Sequence, residues 1–130
     1  MSELFTFFKE HGPAFVSTCA DNEATIRPFG FIDLVDGKLV FATRVYGRCC
    51  RQLRANPRFE ASAVDMNTYS WARISAVARE VTGEKKEEII AANPNLANFK
   101  GADNIFMFQA AEGEGAIMSL AGAPAKNFTL

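Results

Sequence analysis

Short apolar runs separated by turn residues recur along the chain and predict strands more often than helices. Asp36-Gly37, placed between two such runs, is a strong hairpin signal. The runs lie at Ala14–Ala20, Ala24–Val35, Lys38–Arg44, Arg58–Asp65, Ser70–Thr82, Asn104–Glu112 and Gly115–Leu120, the last two forming a predicted hairpin around the EGEG turn. The tail that follows is predicted to be loose, with Phe128 and Leu130 available to dock it.

Three segments have helical spacing instead: Ser2–His11, Tyr46–Asn56 and Glu84–Asn93. About six strands joined mostly by short turns, with few helices between them, predict a mainly β fold. The expected architecture is a six-stranded antiparallel barrel with short helices rather than a doubly wound parallel sheet. Pro28 lies inside the second strand and cannot donate to a ladder, so that strand should be irregular or at an edge there.

The length of 130 residues predicts a single domain, residues 1–130, with its own core. A net charge of -1 excludes a whole-molecule attraction to nucleic acid or membrane. No apolar run approaches the roughly 18 residues of a membrane span. The three cysteines include the neighbours Cys49 and Cys50, which cannot readily bridge each other, and this usage predicts a cytoplasmic protein. With His11 the only histidine, metal binding is not expected.

Positive charge is concentrated between Arg44 and Arg58, which carries five of the eight arginines, and Phe41–Pro57 contains no acid. One interpretation is a solvated helix face paired with acids elsewhere. The other is a bound anion: Thr43 at a strand end and Arg48 at a helix start would give hydroxyl, backbone N–H and guanidinium donors for a phosphate. Nucleic acid is a weaker candidate, because no recognition motif accompanies the patch. The adjacent cysteines are interpreted as small buried apolar residues, with a reactive thiolate as the alternative.

Two further features have structural and functional interpretations. The proline in the RPF stretch, Arg27–Phe29, has two interpretations. It marks a β-bulge or a sheet edge, or it leaves backbone groups unpaired so that they can bind a ligand. Trp71 and Arg73 are two residues apart on a strand and therefore project to the same face, where an arginine often stacks on a tryptophan. A cofactor-facing role for this pair is the alternative to a core role.

Four segments follow one another along the chain: FVSTCADNEATIRPFGFIDLVDGKLVFATR, QLRANP, RFEASAVD and SWARISAVA. Taken in this order, they resemble the pyridoxamine 5′-phosphate oxidase-related family of FMN-binding split barrels. The resemblance covers roughly Gly12 to Val81 and is greatest to small single-domain members. It implies a homodimer with flavin in clefts at the subunit interface, and an oxidoreductase that uses FMN. A C-terminal segment like that of the true pyridoxamine phosphate oxidases is not recognisable, so pyridoxamine phosphate is not the expected substrate.

The resemblance also implies positions for the cofactor. The RPF strand would lie along the isoalloxazine ring. The end of the Lys38–Arg44 strand and the helix after it would hold the phosphate. The Ser70–Thr82 strand could add contacts, either within one chain or from the other subunit. The cofactor-binding residues implied in this way are Arg27, Pro28, Phe29, Gly30, Ala42, Thr43, Arg48, Gln52, Trp71 and Arg73. No catalytic residue is assigned, and the substrate is not indicated. The open alternatives are a non-catalytic flavin-binding or storage protein, a barrel that uses deazaflavin or haem, and a structural dimer without ligand.

Overall fold

The computed structural model describes residues 1–130, which form eight antiparallel strands, three α-helices and two short 3₁₀ segments. The helices are α1 (Ser2–Glu10), α2 (Arg48–Ala55) and α3 (Gly83–Ala92), and the 3₁₀ segments span Pro94–Phe99 and Ala102–Asn104. The strands are β1 (Ala14–Ala20), β2 (Glu23–Phe29), β3 (Ile32–Val35), β4 (Lys38–Arg44), β5 (Arg58–Val64), β6 (Ser70–Glu80), β7 (Ile105–Ser119) and β8 (Lys126–Thr129). None of the helices is long and apolar enough to cross a lipid bilayer.

The strands pair in the order β2-β1-β5-β6-β7-β4-β3, with β8 added to β7. The two ends of this path, β2 and β3, are consecutive in the chain and meet at Gly30-Phe31. The chain therefore links the two edges of the sheet without a ladder between them, which gives a split antiparallel barrel. The predicted mainly β fold is confirmed, and so is the edge position of the strand that contains Pro28.

Two apolar cores lie on opposite faces of β4 and β7, because side chains alternate along a strand. The larger core fills the barrel and contains four phenylalanine rings whose neighbouring centroids are 5.2 to 6.1 Å apart: Phe29, Phe41, Phe59 and Phe108. The smaller core lies between the outer faces of these strands and the α3 region, and includes Val40, Ala42, Leu96, Ile105 and Met107. Helix α1 buries Leu4 and Phe8 in the larger core.

Three sequence predictions of strand layout are wrong. The second predicted strand is divided at Gly30 into β2 and β3, and the tail forms β8 rather than a loose end. The EGEG stretch is not a turn: it lies in the middle of β7, the 15-residue strand that pairs with β6. The strand count is therefore eight rather than six.

Two glycines in β7, Gly113 and Gly115, allow close packing against β6 and α1. A Cβ on Gly113, whose φ is +142°, would lie 2.2 Å from the Ser75 carbonyl oxygen, and one on Gly115 would lie 2.8 Å from a Leu4 methyl carbon. Glycine inside a strand often marks such an approach, so its presence does not by itself indicate a turn.

We expect Gly113→Ala to lower the free energy of unfolding by about 1–3 kcal/mol, because the β6 backbone cannot move away from the new methyl group. Urea denaturation measures this loss. Gly30→Ala is the control: a Cβ there meets nothing within 4 Å and stability should stay near that of the wild type. Equal stability of the two variants would contradict the close approach of β6 and β7.

Candidate functional site

A cleft of about 540 Å³ opens between β2, the end of β4, the start of α2 and the 3₁₀ segment Pro94–Phe99. It gathers seven of the ten residues that the sequence suggested for a cofactor. These are Arg27, Pro28, Phe29, Gly30, Ala42, Thr43 and Arg48. Gln52, Trp71 and Arg73 do not line it.

The cleft is electropositive. Arg27, Arg44 and Arg48 line it, and no aspartate or glutamate does. Apolar residues from several elements, among them Ile26 and Leu96, line part of the rest. The Phe29 ring is packed in the barrel core, with its centroid 5.9 Å from that of Phe108. Phe29 therefore offers the cleft chiefly its backbone groups. A molecule with an anionic group and an apolar part matches this lining.

The start of α2 forms one end of the cleft and has free backbone donors. No side chain caps this helix, and its first turn contains no acidic residue. Gly47 precedes the helix with φ +145°, a conformation that glycine adopts at little cost, and it lines the cleft with Arg48 and Cys49. The N–H groups of a helix start attract anions, because they lack partners within the helix.

The helix begins two residues later than predicted, at Arg48 rather than Tyr46. The turn at Gly47 ends the extended chain first, so Arg44 belongs to β4 and does not share a helix face with Arg48 and Arg51. The interpretation of the adjacent cysteines as buried apolar residues is confirmed: Cys49 and Cys50 are buried, together with Leu53.

Gln52 does not face the cleft. Its side chain is 2 % exposed and crosses from α2 to the barrel, where its Oε1 accepts hydrogen bonds of 2.6 Å from the Thr18 and Thr25 hydroxyls. Its Nε2 donates to the Glu23 carbonyl and carboxylate, at 3.2 Å each. The carboxamide therefore makes four hydrogen bonds within the protein. The resemblance implied a cofactor contact for Gln52, whereas in this chain the side of α2 that carries it packs against β1 and β2.

The same hydroxyls hold Arg27 in place. Its guanidinium donates to Thr18 Oγ1 at 2.8 Å, to Thr25 Oγ1, and to the Val16 carbonyl at 3.4 Å. We call Thr18, Thr25, Arg27 and Gln52 the hydroxyl network. It gives Arg27 a defined position at the cleft wall while other N–H groups of the guanidinium stay available.

Glu23 is the acid nearest to the cleft's α2 end. Its Oε1 lies 3.7 Å from Arg48 Nη1 and 3.9 Å from Arg51 Nη2. Both arginine side chains are more than half exposed, so these pairs are weak in water. Arg48 can leave Glu23 for a ligand while Arg51 continues to balance the carboxylate.

The cysteines of α2 are packing residues. Burial raises the pKa of the Cys49 thiol to about 11, although Arg27 acts in the opposite direction. Burial also raises the pKa of Cys50. Both thiols are therefore protonated at neutral pH, which argues against a reactive thiolate. All three cysteines are free, and only Cys19 is exposed.

Trp71 and Arg73 lie together on β6, on the outer face of the sheet. The Arg73 guanidinium carbon is 5.5 Å from the Trp71 ring centroid, as their spacing suggested. Arg73 Nε also lies 4.0 Å from Glu60 Oε1. Within one chain this pair is away from the cleft, so contact with a ligand there would require a second copy.

Sequence reasoning missed the wall made by the 3₁₀ segment Pro94–Phe99. Asn95, Leu96, Asn98 and Phe99 line the cleft. Leu96 is 1 % exposed and anchors the segment in the smaller core. The NPNLANF stretch has no motif of its own, and its relation to β4 arises only from tertiary packing.

The comparisons with known proteins agree with this architecture. The family model described as pyridoxamine 5′-phosphate oxidase matches residues 1–115. The chain therefore belongs to the pyridoxamine 5′-phosphate oxidase family, as the sequence resemblance indicated. No curated protein matches the sequence significantly.

Several solved structures share the fold. A NimC/NimA family protein from Clostridium acetobutylicum is 27% identical, covers 100% of this chain and 92% of its own, and superposes with a TM-score of 0.88. General Stress Protein 26 from Bacillus anthracis is 10% identical, with a TM-score of 0.75 over 99% of this chain and 97% of its own. A haem-binding protein from Mycobacterium smegmatis is 12% identical, with a TM-score of 0.75 over 98% of this chain but 57% of its own. The last two likenesses concern the fold alone.

We expect Gln52→Leu to lower the free energy of unfolding by about 1–3 kcal/mol, because it removes the acceptor at 2.6 Å that the Thr18 and Thr25 hydroxyls share, and the two hydroxyls cannot both donate to each other. Urea denaturation measures the change. Gln109→Leu on β7, outside the hydroxyl network, is the matched control and should cost less. Wild-type stability in Gln52→Leu, combined with a selective loss of FMN over riboflavin, would instead make Gln52 a phosphate ligand.

Proposed function

We propose that the cleft binds FMN and that the protein is a flavin-dependent oxidoreductase of the pyridoxamine 5′-phosphate oxidase family, with a substrate other than pyridoxamine phosphate. The observation that carries this proposal is the set of donors in one acid-free cleft. The uncapped start of α2, Thr43 and Arg48 lie at one end, and the RPF strand forms a wall beside them.

The donor set fits the parts of FMN. A phosphate dianion suits the Arg48 guanidinium together with the Thr43 hydroxyl and the N–H groups at the start of α2. Strand β2 lies at the sheet edge, so backbone N–H and C=O groups of Arg27–Gly30 have no neighbouring strand on one side. These groups can hydrogen-bond to the polar edge of a flavin ring. Arg27, oriented by the hydroxyl network, adds a positive charge beside that ring.

FMN, when bound, supplies the hydride and electron transfer, and the protein positions it. Arg48 and the start of α2 would bind the phosphate, and the wall formed by Pro28 and Phe29 would exclude water from one side of the ring. Arg27 would favour negative charge on the adjacent part of the ring, since its guanidinium faces no carboxylate within 4.0 Å.

We also propose that the active unit is a homodimer with the flavin at the subunit interface. The outer face of β1, β2 and β5 exposes large apolar side chains: Phe15 is 49% exposed, Ile26 67% and Val64 40%. Phe15 pairs with Pro28 on one side and with Ser62 on the other, and Ser62 pairs with Arg73. A second copy on this face would cover the apolar residues and could bring its own Trp71 and Arg73 to the cleft.

A flavin-storage protein, a deazaflavin protein and a haem protein remain the alternatives. The cleft lining contains no histidine, and His11 lies elsewhere, with its ring centroid 4.6 Å from that of Phe7. The absorbance spectrum of freshly purified protein separates flavin, deazaflavin and haem. Reduction of the bound flavin by NADH or NADPH separates an oxidoreductase from a storage protein. The cytoplasmic location expected from the free cysteines stays a prediction.

FMN titration followed by flavin fluorescence tests the proposal directly. We expect the wild type to bind FMN, and Arg48→Ala to weaken FMN binding about ten- to hundredfold, because a charge-assisted contact contributes about 1.5–3 kcal/mol. Riboflavin has no phosphate, so its affinity should change by less than about twofold. A wild-type protein that binds no FMN would overturn the proposal, and equal losses for both flavins would remove Arg48 from the phosphate site.

Two variants control this measurement. Arg54→Ala removes an arginine of the same helix that lies 3.1 Å from Glu80 and does not line the cleft, so FMN binding should not change. Glu23→Gln keeps an acceptor for the Gln52 amide but frees Arg48, and should tighten FMN about two- to fivefold, the scale of an exposed ion pair.

We expect Phe15→Glu to shift the protein from dimer to monomer, because it places a charge in the apolar face of the proposed interface. Sedimentation velocity measures the mass. Tyr69→Glu, at an exposed aromatic residue in the turn between β5 and β6, is the control and should leave the dimer intact. A wild type that sediments as a monomer at every concentration would contradict the homodimer.

A further inference from the structure

The end of the cleft formed by the 3₁₀ segment and the last residues of β4 carries polar side chains that the proposed FMN contacts do not use. The 3₁₀ segment Pro94–Phe99 carries Asn95 and Asn98, both exposed and both lining the cleft. Side chains three residues apart eclipse in a 3₁₀ helix, so the two carboxamides lie on the same side.

This segment is held firmly at both ends. Asn93 Nδ2 donates to Asp33 Oδ2 at 3.1 Å and to the Ile89 carbonyl at 2.8 Å just before the segment begins. Asn104 Nδ2 donates to the Phe99 and Lys100 carbonyls at 3.0 Å just after it ends. A segment fixed in this way can present Asn95 and Asn98 without a large loss of entropy on binding.

Arg44 is the cation at this end. It follows Thr43 at the end of β4, and alternation places it on the face of Ala42, which the 3₁₀ segment covers through Leu96. No carboxylate lies within 4.0 Å of its guanidinium, whereas Arg48 has Glu23 at 3.7 Å. Arg44 is thus a cleft-lining arginine without a counter-ion in the protein.

We propose that Arg44, Asn95 and Asn98 form a second subsite, which binds the carboxylate of a small organic acid substrate next to the flavin. The inference rests on the proposed function, in which the α2 end takes the cofactor phosphate. One guanidinium with neutral amide donors matches a singly charged carboxylate. The phosphate dianion has the stronger set of donors at the start of α2. Ala42, Leu96 and Phe99 line the cleft beside these polar groups, so the substrate class is a carboxylate that carries an apolar body.

Benzoate and its neutral analogue benzamide test the subsite by ligand-observed NMR, with flavin-free and FMN-loaded protein. We expect benzoate to bind more tightly than benzamide to both forms. Arg44→Gln should weaken benzoate about tenfold and Asn98→Ala severalfold, with FMN affinity unchanged within about twofold. Arg79→Gln replaces another arginine with no carboxylate within 4.0 Å, outside the cleft, and should behave as the wild type.

Benzoate binding that is absent, or equally strong in Arg44→Gln, would overturn the subsite. A loss of FMN over riboflavin in Arg44→Gln as large as in Arg48→Ala would also overturn it, since Arg44 would then be part of the phosphate site. If wild-type protein binds no FMN but the flavin-free form shows the Arg44-dependent preference for benzoate, the proposed cofactor fails and the carboxylate subsite stands.

Discussion

The geometry of the cleft depends on the hydrogen bonds that Gln52 makes across the junction of α2 with the barrel. Helix α2 has eight residues and no capping side chain, and a helix of this length is not stable on its own in water. Burial of Cys49, Cys50 and Leu53 holds it against the sheet, but apolar contacts tolerate sliding. The directional hydrogen bonds that the Thr18 and Thr25 hydroxyls donate to Gln52 select one position, and the same hydroxyls then orient Arg27. A buried amide thus aligns the helix end with the edge strand.

The charges around this junction explain how a protein of net charge -1 keeps an electropositive cleft. The arginines of α2 have acids as partners outside the cleft lining: Arg51 and Arg48 face Glu23, and Arg54 faces Glu80. None of these acids lines the cleft itself. The positive potential is therefore local, and it is stronger inside a concave, partly apolar wall than on an open surface.

Local patterns that survive folding were sufficient to predict most of the strands, and the family resemblance implied ten cofactor residues, of which seven line the cleft. Alternation and the Asp36-Gly37 turn are among these local patterns. Where the outcome depended on a distant partner, the pattern was ambiguous. Glycine in EGEG indicates a turn or a close approach equally well, and only the position of Ser75 decides. Strand β8 forms because β7 offers it an edge, and Gln52 is buried because β1 lies beneath it.

Strand β4 explains why the 3₁₀ segment Pro94–Phe99, which the sequence did not predict as a cleft wall, and α2, which it did, belong to one cleft. Its inward residues, Leu39 and Phe41, pack in the barrel core, while Val40 and Ala42 pack under the α3 region. Where the strand ends, the same alternation sends Thr43 and Arg44 to opposite sides, and both line the cleft. One side leads to α2 and the other to the 3₁₀ segment. A cleft built at this point therefore has two chemically different ends, as the proposed phosphate site and the proposed carboxylate subsite require.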